Sequence, residues 1–197
     1  MKKKNFIIIF LIFGLTQNCY AYSSDPKQFI TEVVDEAKKI LVGTNQKEFK
    51  EKKLEEVAKK TADIKGIGMY TLGKYRKILT DEQLSKYEML FEKYFLKSFS
   101  SRLSDYSDPK IDVLSAEILN PKYTIVKSVL LSTKKKPALQ FDWRVYTKNP
   151  EKPLIRDLIV EGLSLARTQK EEFASVIESN NKDINKLFDA LEEFIAK

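Results

Sequence analysis

The side chains best placed for chemistry are five charged residues in or near one hairpin: Asp142, Arg144, Arg156, Asp157 and Glu161. Two carboxylates held close together could divide general-acid and general-base roles. Their spacing argues for a plainer use. Asp142, Arg144, Asp157 and Glu161 alternate with Phe141, Trp143, Leu158 and Val160, so they share the wet face of a strand pair, where opposite charges pair across strands. The chain has no histidine, and its one cysteine is Cys19. Ser–His and Cys–His catalysis and the commonest metal ligand are therefore missing. No Gly-rich phosphate loop, dinucleotide fingerprint or metal-ligand spacing occurs. The sequence predicts no enzyme, no metal and no cofactor.

The elements that carry these residues are legible from their periods. Leu139, Phe141, Trp143 and Val145 alternate with Gln140, Asp142, Arg144 and Tyr146, the period of two that marks a strand with one buried face. A turn over Lys148–Pro153 leads to a second strand, in which Leu158 and Val160 face the same way, and Gly162 ends it and lets the chain break toward a helix. Ile111–Leu119 and Tyr123–Thr133 read as two earlier strands joined at Asn120–Pro121. Ser128 falls among apolar neighbours on one strand face, where a small residue could leave room. Lys134, Lys135, Lys136 and Pro137 make the next turn, a solvated tip that discourages edge pairing.

Helices flank this four-stranded meander. Asp25 and Pro26 open the first, over 25–42, and Gly43 stops it. Lys47–Thr61 has a thin apolar stripe and is expected on the surface. Asp63–Ile78 is interrupted by Gly66, Gly68 and Gly73; each interior glycine costs a helix about 1 kcal/mol relative to alanine. That cost signals tight helix packing or room left beside a ligand. Thr80 or Asp81, with Gln83, caps an aromatic-rich helix that runs to about Asp105. Leu165–Glu178 and Asp183–Ala196 follow the strands as helices. The fold class expected is α+β: helices, a four-stranded antiparallel meander and C-terminal helices, with an apolar cavity enclosed between sheet and helices.

Lys2–Lys4 precede the apolar run Phe6–Leu15 and the short polar stretch Thr16–Tyr20, and Cys19 and Ala21 occupy the small-residue positions of a cleavage site. Residues 1–21 are thus expected to be a secretory signal peptide, too short for a membrane span. Gln17 and Asn18 suit a lipoprotein site poorly, so export as a soluble protein is preferred over lipidation. A single domain over residues 22–197 remains. Cleavage removes three lysines and no acid, and the charge falls from +7 to +4. Lysine and glutamate are interleaved, as in the stretch 51–60, which describes a solvated helix face and not the one-signed stripe of a nucleic-acid binder.

An apolar ligand suits a one-sided apolar sheet, an aromatic helix and a glycine-punctuated helix. Each buried methylene is worth ~0.8 kcal/mol, so a sixteen-carbon chain leaving a membrane must recover roughly 12 kcal/mol. Only a deep, dry pocket matches that. Periodicity alone does not separate such a pocket from a filled core.

A family resemblance sharpens the choice. Leu72–Gly73–Lys74–Tyr75 followed by Leu79–Thr80–Asp81–Glu82–Gln83, then Phe141–Asp142–Trp143–Arg144, then Asp157–Leu158–Ile159–Val160–Glu161–Gly162–Leu163–Ser164, resembles in order and spacing the MlaC, or toluene-tolerance, family from about residue 27 to 196. The resemblance implies a periplasmic carrier that shuttles glycerophospholipid between an outer-membrane lipoprotein complex and an inner-membrane ABC transporter bearing an MCE-domain protein, and so maintains outer-membrane lipid asymmetry. It implies acyl chains bound between sheet and helices, with Leu72, Tyr75, Phe141, Trp143, Leu158 and Val160 in the lining. Periodicity adds Phe91, Phe95, Val126 and Leu130. Two rivals stay open: a periplasmic adaptor or binding module with a filled core, and a small-molecule enzyme on a cone-shaped α+β fold, which needs ionisable groups pointing inward.

Overall fold

A computed structural model of the chain describes residues 21–132 and 137–197. The expected signal peptide, apart from Ala21, and the lysine turn at 134–136 lie outside the described residues. Six α-helices and a five-stranded sheet follow in order: α1 (Pro26–Val42), α2 (Lys47–Thr61), α3 (Ile64–Thr71), a 3-10 helix (Gly73–Lys77), α4 (Asp81–Ser104), β1 (Ile111–Asn120), β2 (Tyr123–Leu130), β3 (Leu139–Tyr146), β4 (Leu154–Val160), β5 (Leu163–Ser164), α5 (Leu165–Ser179) and α6 (Ile184–Ala196). The strands pair antiparallel in sequence order, β1-β2-β3-β4-β5. This is the α+β layout of helices, meander and closing helices. Among the described residues no helix is long and apolar enough to cross a membrane.

Helix starts are set by side-chain caps that satisfy backbone N–H groups lacking an intrahelical partner. Asp25 Oδ1 accepts from the Gln28 N–H at 2.8 Å, and Asp63 Oδ1 from the Gly66 N–H at 2.9 Å. Thr80 and Gln83 cap one another's backbone at the start of α4, a reciprocal capping box. Four expectations need correction. The segment 63–78 is not one helix: Gly73 has φ +60, so α3 stops at Thr71 and a 3-10 turn carries the chain on. Helix α2 is not a surface element, since Leu54, Val57, Ala58 and Thr61 are all buried where it packs against α1 and α4. A fifth strand follows β4, because Glu161 and Gly162 both take positive φ, 48° and 81°. That turn folds the chain back and pairs Leu163 with Val160 and Ser164 with Ile159. Gly162 therefore makes a hairpin turn before α5 begins, and β2 ends at Leu130 rather than running on to Thr133.

Apolar side chains gather in two clusters. The first lies among α3, α4, α5 and α6 and includes Leu72, Tyr75, Tyr87, Phe91, Phe173 and Phe188. The Phe91 and Phe173 rings meet edge-on at 6.3 Å, and Tyr87 stacks on Phe91 at 5.7 Å; such pairs are worth about 0.5–1.5 kcal/mol beyond the area they bury. In the second, Phe29, Ile30, Val33 and Val34 of α1 and Val57 of α2 close over Val126 and Val145 of the sheet. Helix α4 packs on α2, α3 and α6. Helix α1 covers the sheet at β1 and β2, and α5 packs on β4 and β5.

Candidate functional site

One face of the sheet is apolar from edge to edge. Pairing places Val126, Trp143 and Leu158 in one row across β2, β3 and β4, and Ser128, Phe141 and Val160 in the next. Leu130 opposes Leu139 beyond them, and Leu163 joins the face through its pairing with Val160. A period of two carries every second residue to one face, and the antiparallel register aligns those residues strand by strand. Six of the ten predicted residues are thereby brought together: Val126, Leu130, Phe141, Trp143, Leu158 and Val160.

This face has a covered half and an open half. Val126 and Val145 are sealed under α1, and Trp143 packs against the same cluster from its margin. Leu130, Phe141, Leu158 and Val160 belong to neither cluster. Leu130, Leu158 and Val160 are half-buried, and Leu163 beside them is 70% exposed. Trp143 sits at the boundary. Its indole Nε1–H donates to Ser128 Oγ at 3.0 Å, and its ring meets Phe141 at 5.5 Å and 65°. Ser128 is fully buried.

The other four predicted residues lie apart from this wall. Leu72, Tyr75 and Phe91 are buried inside the helical cluster, and Phe95 packs at its edge and stacks on Phe99. Tyr75 also donates its hydroxyl to Glu178, which ties the 3-10 turn to α5. The aromatic helix that carries Phe91 and Phe95 turns its rings toward α3, α5 and α6, so they share no wall with Phe141. Ile155 shows what alternation missed. It has the parity of Asp157, yet it pairs with Val145 on the apolar side, because the β3–β4 register slips between Arg144 and Val145. A bulge of this kind leaves no mark in the pattern of residue types. Leu163 was missed because no fifth strand was expected.

The charged set lies on the opposite face and is not simply wet. Asp157 is only 5% exposed. Its Oδ2 accepts from the Ser164 hydroxyl at 2.6 Å and lies 3.4 Å from Arg144 Nη1, while its Oδ1 accepts from the Ala166 N–H at 3.0 Å. The start of α5 covers this carboxylate, and its charge is met by the exposed N–H groups and dipole of the helix end. Arg156 bonds Asp63 at 2.7 Å and the Tyr123 hydroxyl at 3.0 Å. It lies 3.8 Å above the Tyr146 ring and so joins α3 to the sheet. Asp157 and Arg156 are spent on joining elements, while Asp142 Oδ1 and Arg144 Nε are buried without a hydrogen-bond partner.

Two open clefts among the described residues, of about 350 Å³ and about 460 Å³, share Met89 and Glu92 on the outer side of α4. Neither touches the sheet. They form a mixed-charge groove between α4 and its neighbours, bordered by Lys59, Lys65, Glu88 and Lys93.

Comparison with known proteins places this architecture. No curated protein sequence matches significantly. The fold is similar to that of a phospholipid-binding protein from Ralstonia solanacearum solved in complex with a phospholipid. The TM-score is 0.71 at 19% identity, over 88% of this chain and 97% of that one. A likeness at that identity speaks for the fold. The family model for the MlaC protein matches residues 27–193, from the first turn of α1 into α6, so the chain belongs to the MlaC family.

Proposed function

We propose that this chain is a periplasmic phospholipid carrier. It shuttles glycerophospholipid between an outer-membrane lipoprotein complex and an inner-membrane ABC transporter bearing an MCE-domain protein, and thereby maintains the asymmetry of the outer membrane. The observation that carries the reading is the family match over residues 27–193. The likeness to a fold solved with phospholipid bound supports it. The acyl chains lie along the open half of the sheet face, against Leu130, Phe141, Trp143, Leu158 and Val160. They enter from the Leu163 end, and the head group stays toward water. Val126 marks where the wall passes beneath α1. Leu72, Tyr75, Phe91 and Phe95 keep the helical body rigid behind the wall. The protein works by binding and release and carries out no chemical step.

Residues 1–21 act as the signal peptide, and 22–197 form the single mature domain. Three contacts support this boundary. Tyr22 sets its ring edge-on to Phe29 and donates its hydroxyl to Glu36, and the Ser23 N–H donates to Glu32 at 2.8 Å. Among the described residues, side-chain contacts with the body are made from Tyr22 on, the residue that cleavage after Ala21 would expose.

One observation favours a second reading, a periplasmic adaptor with a filled core: Phe141, in the middle of the proposed wall, is buried by protein alone. Organic extraction of the purified mature protein, followed by lipid mass spectrometry, separates the two. The carrier yields phospholipid in stoichiometric amount. An extract without phospholipid, from protein also offered vesicles, leaves the adaptor.

A further inference from the structure

We infer that Trp143, pinned by Ser128, is the floor of the acyl site and sets how long a chain the protein accepts. The inference rests on the carrier reading and deepens it. Three observations meet at this pair. First, Trp143 is where the covered half of the sheet face gives way to the open half: it packs against the α1 cluster and touches Phe141, itself buried, at the edge of the open half. Past it, Val126 and Val145 are fully buried under Phe29 and Val33, so a chain that slides along the wall from Leu163 meets the indole and stops.

Second, the indole is fixed in place. Its N–H reaches diagonally from the Val126 row to Ser128 in the Phe141 row, at 3.0 Å. Ser128 is fully buried, Trp143 is half-buried, and an indole N–H that loses its acceptor away from water bears a desolvation cost. The hydroxyl therefore holds the ring across the wall. Third, Ser128 is the small residue of its row, between Val113 on β1 and Phe141 on β3. Ser128 touches no ligand in this account. It is a positioning residue acting through Trp143.

The test offers the mature protein an equimolar vesicle mixture of dilauroyl, dimyristoyl, dipalmitoyl and distearoyl phosphatidylglycerol. The retained lipids are read by native mass spectrometry for the wild type, Ser128→Ala, Ser128→Thr and Trp143→Phe. One extra methylene buried changes affinity about fourfold. Ser128→Ala and Trp143→Phe are expected to shift the retained mixture at least about fourfold toward longer tails, whereas Ser128→Thr, which keeps the hydroxyl, retains the wild-type distribution. Trp143 is the only tryptophan, so its emission supplies a second readout: a red shift in Ser128→Ala and none in Ser128→Thr. Melting curves establish that each variant is folded, and either Ser128→Ala or Trp143→Phe suffices. A wild-type distribution in the folded variants overturns the floor and leaves the carrier standing. A shift in Ser128→Thr as large as in Ser128→Ala overturns the pin. A wild type that retains no phospholipid overturns the carrier reading, and the floor with it.

Discussion

Gly68→Ala tests whether the glycines of α3 serve packing or leave room for a ligand. A Cβ at this position lies 2.7 Å from Phe91 Cδ1 and 3.2 Å from both Cγ and Cε1, against an ordinary contact of about 3.5–4.0 Å. The ring has little freedom to retreat. It is buried, stacked on Tyr87 at 5.7 Å, tilted against Phe95 at 6.1 Å and met edge-on by Phe173 at 6.3 Å. Alanine gains about 1 kcal/mol of helix propensity over glycine, while forcing a group into a filled core costs about 1–3 kcal/mol. Neighbours on several sides favour the upper end of that cost, so the net expectation is a loss of about 1–2 kcal/mol. At about 2–4 °C per kcal/mol for a domain of this size, the melting temperature falls by about 2–8 °C. The assay is a pair of thermal melts, with the phospholipid content of the folded variant measured alongside. Unchanged or raised stability together with a lowered lipid content refutes the reasoning, because it would place Gly68 beside a ligand instead of beside Phe91.

Other outcomes follow from the polar groups. Asp157→Ala leaves the Ser164 hydroxyl and the Ala166 N–H without their acceptor and Arg144 without its counter-charge. With Arg144 still partly solvated, a loss of about 2–4 kcal/mol is expected in urea titrations, and a loss under about 0.5 kcal/mol would show the junction to be incidental. Stability should also fall at alkaline pH. Burial, the first cause in each case, raises the hydroxyls of Tyr22, Tyr75, Tyr87 and Tyr94 above the ordinary phenol value. These groups are neutral in both states below about pH 10, so their contribution is complete there and is lost as pH climbs through the raised values. The ion pair with Glu178 raises Lys74 as well and acts in the same direction. No histidine is present to add a step near neutrality, so melting temperatures should be level through neutral pH and drop above about 10; a steep change between about pH 6 and 8 contradicts this.

The sheet wall was largely legible because antiparallel strands convert residue parity directly into a face. Phe141, Trp143, Leu158 and Val160 could be set together from the sequence, Val126 and Leu130 were named from the period of their own strand, and the register aligns the six on one face. Helix starts were legible for a similar reason, since a cap depends on a few adjacent residues, as at Asp25 and at Thr80 with Gln83. Local pattern fails where the decisive contact is distant. Phe91 looks the same on paper whether its ring meets a sheet or Phe173. The thin stripe of α2 gave no hint of burial from two sides, and the burial of Asp157 depends on a helix that starts several residues later. The bulge that brings Ile155 round to the apolar side is a matter of backbone geometry, and it was invisible for that reason.

The central claim is that phospholipid tails lie on the open half of the sheet face. Native mass spectrometry of the mature protein isolated from a periplasm, run beside Leu158→Asp, tests it most directly. Leu158 is half-buried, and a carboxylate there faces the acyl chains at a desolvation cost that the ligand must share. The account predicts the chain plus phospholipid for the wild type and the bare chain for the folded variant. A bare wild type, or the same lipid adduct in both proteins, contradicts it.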